Sequence, residues 1–295
     1  MDHDATLPVA RSTEEFPAAD GTPLSLHRWL PTDRAPEAAL FYIHGLQSHA
    51  GWLFETGAEL AGRGIAVYAP DRRGSGASGG LRGHLPSAAS VLDDYAALFD
   101  VVRDRTPGLP LTVVGQSFGG SLLAALLSTT RIAPDAAVFC APALGQQHAR
   151  LGRDGMAELL KLEGTCRTPV ALSDTDYTDD PRYLAAMAND HLMLRQVSDR
   201  FRSVMAELEL AYTAAGPWCP FAVRGPVYFA TPERDAIIDL DVARGELARL
   251  QPEAVEVHFA ADTHYLEFSA VRRQLWDWLA DTAVLHTVCR ERTQA

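Results

Sequence analysis

Leu111-Thr112-Val113-Val114-Gly115-Gln116-Ser117-Phe118-Gly119-Gly120-Ser121-Leu122-Leu123-Ala124-Ala125-Leu126-Leu127 is the stretch that decides the fold. Its first four residues read as a buried strand, and the run from Gly120 to Leu127 reads as a helix. Ser117 therefore stands at a strand-to-helix turn with a glycine two residues before and two after it. That is the context in which the pattern G-x-S-x-G becomes a nucleophile elbow. The turn is too tight for side chains at the two flanking positions, which explains the glycines. It would lift the Ser117 hydroxyl clear of a sheet and turn the Phe118 amide, at the helix start, toward a developing oxyanion. The competing reading is a glycine-flanked helix cap, for which serine is equally suited.

Working outward, Ala39–Ile43, Ile65–Pro70, Ala136–Cys140, Pro226–Ala230 and Ala254–Phe259 read as further strands. Helical stretches fall at Trp52–Gly62, Ala88–Arg103, Val242–Leu250 and from about Ser269. Leu24–Leu30 alternates as a half-exposed strand, and Asp20-Gly21-Thr22-Pro23 before it predicts a hairpin with the segment near Phe16. Residues 1–11 read as a loose tail. Strand and helix in alternation imply a mostly parallel, doubly wound sheet with helices on both faces. The rhythm stops between Leu144 and Val223, where no convincing strand is found and Val197, Phe201, Val204, Met205, Leu208 and Tyr212 have helical spacing. The expectation is an α/β core of residues 12–143 and 224–285 with a helical cap, 144–223, inserted over the site.

The chain has 295 residues and a net charge of −12, with no basic patch for neutralising phosphates, so a nucleic-acid partner is not expected. The N-terminus Met1–Thr6 is acidic and polar, unlike a signal peptide, and no apolar run approaches 18 residues. A cytoplasmic protein is the expectation. The four cysteines, Cys140, Cys166, Cys219 and Cys289, form no C-x-x-C pair, so a zinc site is not expected; a Cys166–Cys219 bridge stays open.

A serine hydroxyl needs a base, and the base an orienting carboxylate. In a doubly wound sheet such groups gather beyond the carboxyl ends of the strands. His264, in the loop after the last strand, is the best-placed base. His258 lies within that strand, His286 in the C-terminal tail, and His44 and His84 on earlier loops where they would shape a site. Asp235 follows the strand ending near Ala230 and is preferred as the acid. Its rival Asp239 stands just before a helix, where capping is the simpler role. The Leu46 amide, after His44-Gly45, and the Phe118 amide are the candidate oxyanion donors. Gly74-Ser75-Gly76-Ala77-Ser78-Gly79 satisfies G-x-G-x-x-G, but Asp71-Arg72-Arg73 separates it from the strand and no helix follows. It reads as a turn with an arginine brace, not a dinucleotide site.

With His44-Gly45-Leu46, Asp71–Ser78, Gly115–Gly119, Asp235 with Ile237-Ile238-Asp239, and His264 together, the chain resembles the α/β-hydrolase superfamily, and within it the monoacylglycerol lipase and lysophospholipase group. The resemblance implies acyl transfer to water: Ser117 attacks, His264 moves the proton, Asp235 orients His264, and Leu46 and Phe118 hold the oxyanion. It implies no metal or organic cofactor, and a small-molecule ester or thioester as partner. The chain departs from that group where a Glu and an Arg usually follow the His-Gly and bind glycerol hydroxyls; here the stretch reads Gln47-Ser48-His49-Ala50-Gly51-Trp52. The polar segment with Asp174, Asp176, Asp179 and Asp180 does not resemble a membrane-docking lid. The leading reading is a serine carboxylic ester hydrolase for a lipid-like or small acyl ester. An acyl thioesterase or acyltransferase is the alternative, and carbon–carbon bond hydrolysis uses the same triad. A non-catalytic relative is disfavoured because all three triad residues are present, and a dehalogenase or epoxide hydrolase because the elbow carries Ser117 instead of Asp.

Overall fold

Strands β3 (Ala38–Ile43), β4 (Ile65–Pro70), β5 (Leu111–Gln116) and β6 (Ala136–Cys140) are buried at every position, as expected for a sheet covered on both faces. The computed structural model describes residues 7–219 and 222–293, with side chains up to Val284 at the C-terminal end. With β1 (Val9–Pro17), β2 (Pro23–Pro31), β9 (Val227–Pro232) and β10 (Val255–Phe259), the four buried strands form an eight-stranded sheet in the order β1-β2-β4-β3-β5-β6-β9-β10. From β4 to β10 all pairings are parallel; β1 and β2 run antiparallel at one edge. The chain passes from β3 to β4 on one side and then to β5 on the other. The crevice beyond the carboxyl ends of β3 and β5 is therefore a topological switch point, where open α/β sheets bind ligands.

The two-residue period of the strands divides the core. Phe41, Val113 and Phe139 face one side, against α2 (Ala88–Arg105), α3 (Phe118–Ser128) and α8 (Leu240–Leu250). Leu40, Tyr42 and Val114 face the other, against α1 (Thr56–Gly62) and α9 (Arg272–Thr293). Between β6 and β9 run α4 (Gln146–Leu159), β7 (Arg167–Pro169), α5 (Asp174–Tyr177), α6 (Pro181–Ala188), β8 (Gln196–Ser198) and α7 (Asp199–Thr213). Helix α7 carries Phe201, Val204, Met205, Leu208 and Tyr212 of the predicted apolar face and packs on α3 and α4, whereas Val197 lies in β8. Among the described residues no helix is long and apolar enough to cross a membrane.

Four expectations need correction. The tail ends sooner than residue 11, because Val9 already pairs with Pro31 in β1; residues 1–6 lie outside the described residues. Strand β2 is mostly buried, since it lies between β1 and β4 with Leu24 and Leu26 in one core and Trp29 in the other. The helix expected over Trp52–Gly62 is broken: Ala50–Phe54 is a 3-10 turn with Leu53 at φ −82°, ψ 19°, and α1 begins only at Thr56. The break sends the Trp52 indole toward Tyr177, Tyr265 and Phe268, where its N–H donates to Asp190. The segment thought strandless holds β7 and β8, which pair over three residues each, too short for a periodicity to register. Cys166 and Cys219 are exposed free thiols, Cys140 is a buried one, and the Cys289 and His286 side chains lie outside the described residues.

The false dinucleotide pattern has a structural cause of its own. Asp71 is almost fully buried, and its carboxylate accepts from the Ala50 and Ala77 amides and from His27. Gly76 turns around that carboxylate at φ +53°, where a Cβ would stand 2.2 Å from it. Arg73 braces the loop by pairing with Asp94 and Asp20. Burial would raise the Asp71 pKa, but the His27 contact and the Ala77 amide outweigh it and hold the carboxyl at about 2, against 3.8 normally. A depressed carboxyl pKa stabilises the fold above its unfolded value, and the gain is lost as pH falls through the folded value.

Two predictions follow from this packing. Asp71→Asn should cost about 2 kcal/mol at pH 7, and the gap in urea stability between variant and wild type should narrow as pH falls from about 4 toward 2; a pH-independent gap would contradict the assignment. Gly119→Ala places a Cβ 2.0 Å from the Ile43 carbonyl oxygen and should cost more than about 3 kcal/mol, read as a drop in thermal midpoint or failure to accumulate folded protein.

Candidate active site

The turn from β5 into α3 puts Ser117 at φ 54°, ψ −119°, a conformation that costs a non-glycine residue on the order of 1–3 kcal/mol. The Ser117 side chain makes no capping bond, so the simpler reading of this residue as a helix cap fails. The turn is pinned from outside: the Ser117 amide donates to the Cys140 carbonyl, and the Ser117 carbonyl accepts from the Gly120 and Ala143 amides. The flanking glycines are required by close approach. A Cβ on Gly115 would stand 2.6 Å from the Gly119 carbonyl oxygen, and one on Gly119 would meet the end of β3.

The loop after β3 is held against this turn by Arg72. Its guanidinium, buried under α7, donates to the Gly45 carbonyl at 2.9 Å and the Leu46 carbonyl at 2.8 Å, and stacks near Phe118 and Phe201. Gly45 C=O and Leu46 N–H belong to one trans peptide, so the bond to Arg72 turns the Leu46 N–H the opposite way. The same argument turns the Phe118 N–H away from the partners of the Ser117 carbonyl. Leu46, Ser117 and Phe118 all line one cavity of about 400 Å³. His44 fixes the loop's base: its Nδ1–H donates to Gly45 and its Nε2 accepts from the Arg72 amide. Burial, with Arg72 nearby, pushes its pKa well below the usual histidine value, so the ring is neutral.

His264 and Asp235 meet beyond β10 and β9. His264 Nδ1 lies 2.7 Å from Asp235 Oδ2, and both side chains are fully excluded from solvent. The other Asp235 oxygen accepts from the Ile237 and Ile238 amides at 2.8 and 2.9 Å. Burial works to raise the Asp235 pKa, but His264 and these two amides outweigh it and hold the carboxyl below the usual range. The carboxylate accepts a hydrogen bond from Nδ1–H, which leaves the Nε2 lone pair facing the site. That lone pair lies 3.3 Å from the side-chain nitrogen of Gln116. Ser117 itself makes no side-chain hydrogen bond among the described residues. The structure thus brings Asp235 and His264 together and sets the serine's immediate neighbour, not the serine, on the free nitrogen.

The other candidates fall where simpler chemistry placed them. Asp239 caps α8 by accepting from the Asp241 and Val242 amides. His258 is more than half exposed on β10, His84 bonds Ser198, and neither lines the cavity that Ser117 lines. Three contributors were missed. Tyr177 covers His264 edge-on and donates its hydroxyl to Gln47. Gln47, which stands where a charged residue was expected, spends its amide on the Leu194 carbonyl. Gln116 fills a variable position of the G-x-S-x-G pattern, and its place at the carboxyl end of β5 was a usable signal. For Tyr177 there was none, because α5 is a single turn in a polar stretch.

Comparison with known proteins gives the family and the fold. Residues 34–262 match the Hydrolase_4 family, described as serine aminopeptidase, S33. A monoacylglycerol lipase of Mycolicibacterium smegmatis is 24% identical over 272 residues, 90% of this chain and 94% of that protein. A human monoglyceride lipase is 34% identical over 104 residues, 35% of this chain and 34% of the relative. The crystal structure of a soluble variant of the Saccharomyces cerevisiae monoglyceride lipase superposes with a TM-score of 0.76 at 14% identity, covering 97% of this chain and 98% of that one. The chain adopts the α/β-hydrolase fold and belongs to the serine aminopeptidase S33 (Hydrolase_4) family.

Proposed function

We propose that the protein cleaves a carboxylic ester through an acyl-enzyme on Ser117, with His264 as general base and acid and Asp235 as its orienting carboxylate. The observation that carries the reading is the solvent-free His264–Asp235 pair, which meets the neighbour of a strained serine that lines a cavity. Ser117 Oγ attacks the ester carbonyl while its proton passes to His264 Nε2, which Gln116 must first release. The negative charge on the carbonyl oxygen meets the Leu46 and Phe118 amides. Collapse expels the alcohol, which takes the proton from His264; water then repeats the sequence and frees the acid. In this reading residues 144–223 act as the cap that shapes the substrate pocket.

The pocket favours an ester over a peptide with a free amino terminus. No Asp or Glu side chain lines it among the described residues, so nothing there receives an α-ammonium group. The named substrates of the lipase relatives support an acyl ester. The Gln47 amide and the Tyr177 hydroxyl are engaged with each other, which supports an ester other than a simple monoglyceride.

The test is hydrolysis of p-nitrophenyl esters from acetate to palmitate. Ser117→Ala and His264→Ala should each lower kcat by about 10³-fold or more. A cavity of about 400 Å³ places the optimum below palmitate. Serine-independent turnover would overturn the assignment.

A further inference from the structure

The walls of the Ser117 cavity are mostly apolar, with Val170, Leu172, Met205, Ile237 and Ile238 among them, but its charged groups are of one sign. Arg150 of α4 and Arg202 of α7 both line it, and no carboxylate does. Arg150 forms no ion pair among the described residues. It spends one N–H on the Ile237 carbonyl, which leaves most of its five donors free. Among the described residues Arg202 pairs only with Asp199, three residues before it, at 3.4 Å. Gln147 and Thr168 also line the cavity, and each can donate as well as accept.

The chain carries a net charge of −12. Its overall field therefore repels anions, and two cations facing one apolar cavity stand against that background. They also sit on the segment between β6 and β9, apart from the groups around Ser117. A neutral substrate would cover the free donors of both part-exposed guanidiniums without replacing their water, whereas a carboxylate or phosphate would take charge-assisted hydrogen bonds from them.

We propose that the preferred substrate is an amphipathic ester bearing an anionic group, carboxylate or phosphate, which Arg150 and Arg202 bind while the ester carbonyl lies at Ser117. This rests on the ester-hydrolase reading above and adds to it the substrate's charge. The two arginines are specificity residues of the pocket and take no part in moving the proton.

Two matched pairs test it. Mono-4-nitrophenyl glutarate against 4-nitrophenyl valerate places the charge on the acyl side as a carboxylate. 1-Butyryl-glycerol-3-phosphate against 1-butyrylglycerol places it on the alcohol side as a phosphate. In at least one pair the anionic ester should show at least a tenfold higher kcat/KM, mainly through KM, and the advantage should shrink with added salt. The pair that responds identifies the source of the charge. The anionic-to-neutral ratio should fall toward one in Arg150→Met and in Arg202→Met, and reverse in Arg202→Glu. The second position guards against loss of the Arg150 bond to Ile237 disturbing the loop of Asp235. Hydrolysis of the neutral esters with no anionic preference in either pair would overturn the inference and leave the hydrolase standing. Calorimetric binding of octyl phosphate and octanoate against octanol to Ser117→Ala decides the matter without turnover. At least tenfold tighter binding of one anion, lost in the double arginine-to-methionine variant, is expected; equal binding of all three overturns the proposal.

Discussion

The close approach of α3 to the end of β3 is the constraint on which the rest depends. Gly119 lies so near the Ile43 carbonyl that no side chain fits between helix and strand. That contact fixes where the helix begins, so the chain must turn within one residue, and Ser117 takes the strain. The strain is affordable because the turn is held at both ends, by Cys140 through its amide and by Gly120 and Ala143 through its carbonyl. The same proximity brings the loop after β3 beside the serine, which is where a second amide can serve it.

Two buried charges then organise the surroundings without facing the cavity themselves. Asp71 gathers the chain around Ala50 and Ala77, and Arg72, one residue on, turns the carbonyls of Gly45 and Leu46 inward. Both are neighbours in sequence at the end of β4, so the strand that flanks the switch point also carries its scaffold. From the other side Tyr177 closes over His264, and the Tyr177 and Asp176 carbonyls accept from the Tyr265 and His264 amides. The proposed base is thus enclosed by the core below and the inserted segment above. The cations of the pocket come from that inserted segment alone.

Much of this was legible in the sequence because the relevant signals are local. Gly115, Ser117 and Gly119 report their own crowding, and the apolar runs of β3 to β6 report burial on both faces. Asp235 and His264 were found because the topology admits reactive groups only beyond strand ends, and the Asp239 side chain had a cap to make. What escaped depends on contacts between distant segments. The helix breaks at Trp52, whose indole bonds Asp190 far along the chain. Gln116 reaches His264 across the site, and Gln47 meets Tyr177 and Leu194. Nothing in the order of residues around Arg150 and Arg202 says that they share a wall, since only the packing of α4 on α7 sets them there.

The central claim is that Ser117 is a nucleophile made reactive by His264. The most direct measurement is intact-protein and peptide mass spectrometry after treatment with a fluorophosphonate ester, which phosphonylates an activated serine with loss of fluoride. One phosphonyl group per chain, on Ser117, absent in Ser117→Ala and slowed at least a hundredfold in His264→Ala, is the expected result. Labelling elsewhere, or on Ser117 at the same rate without His264, would contradict it.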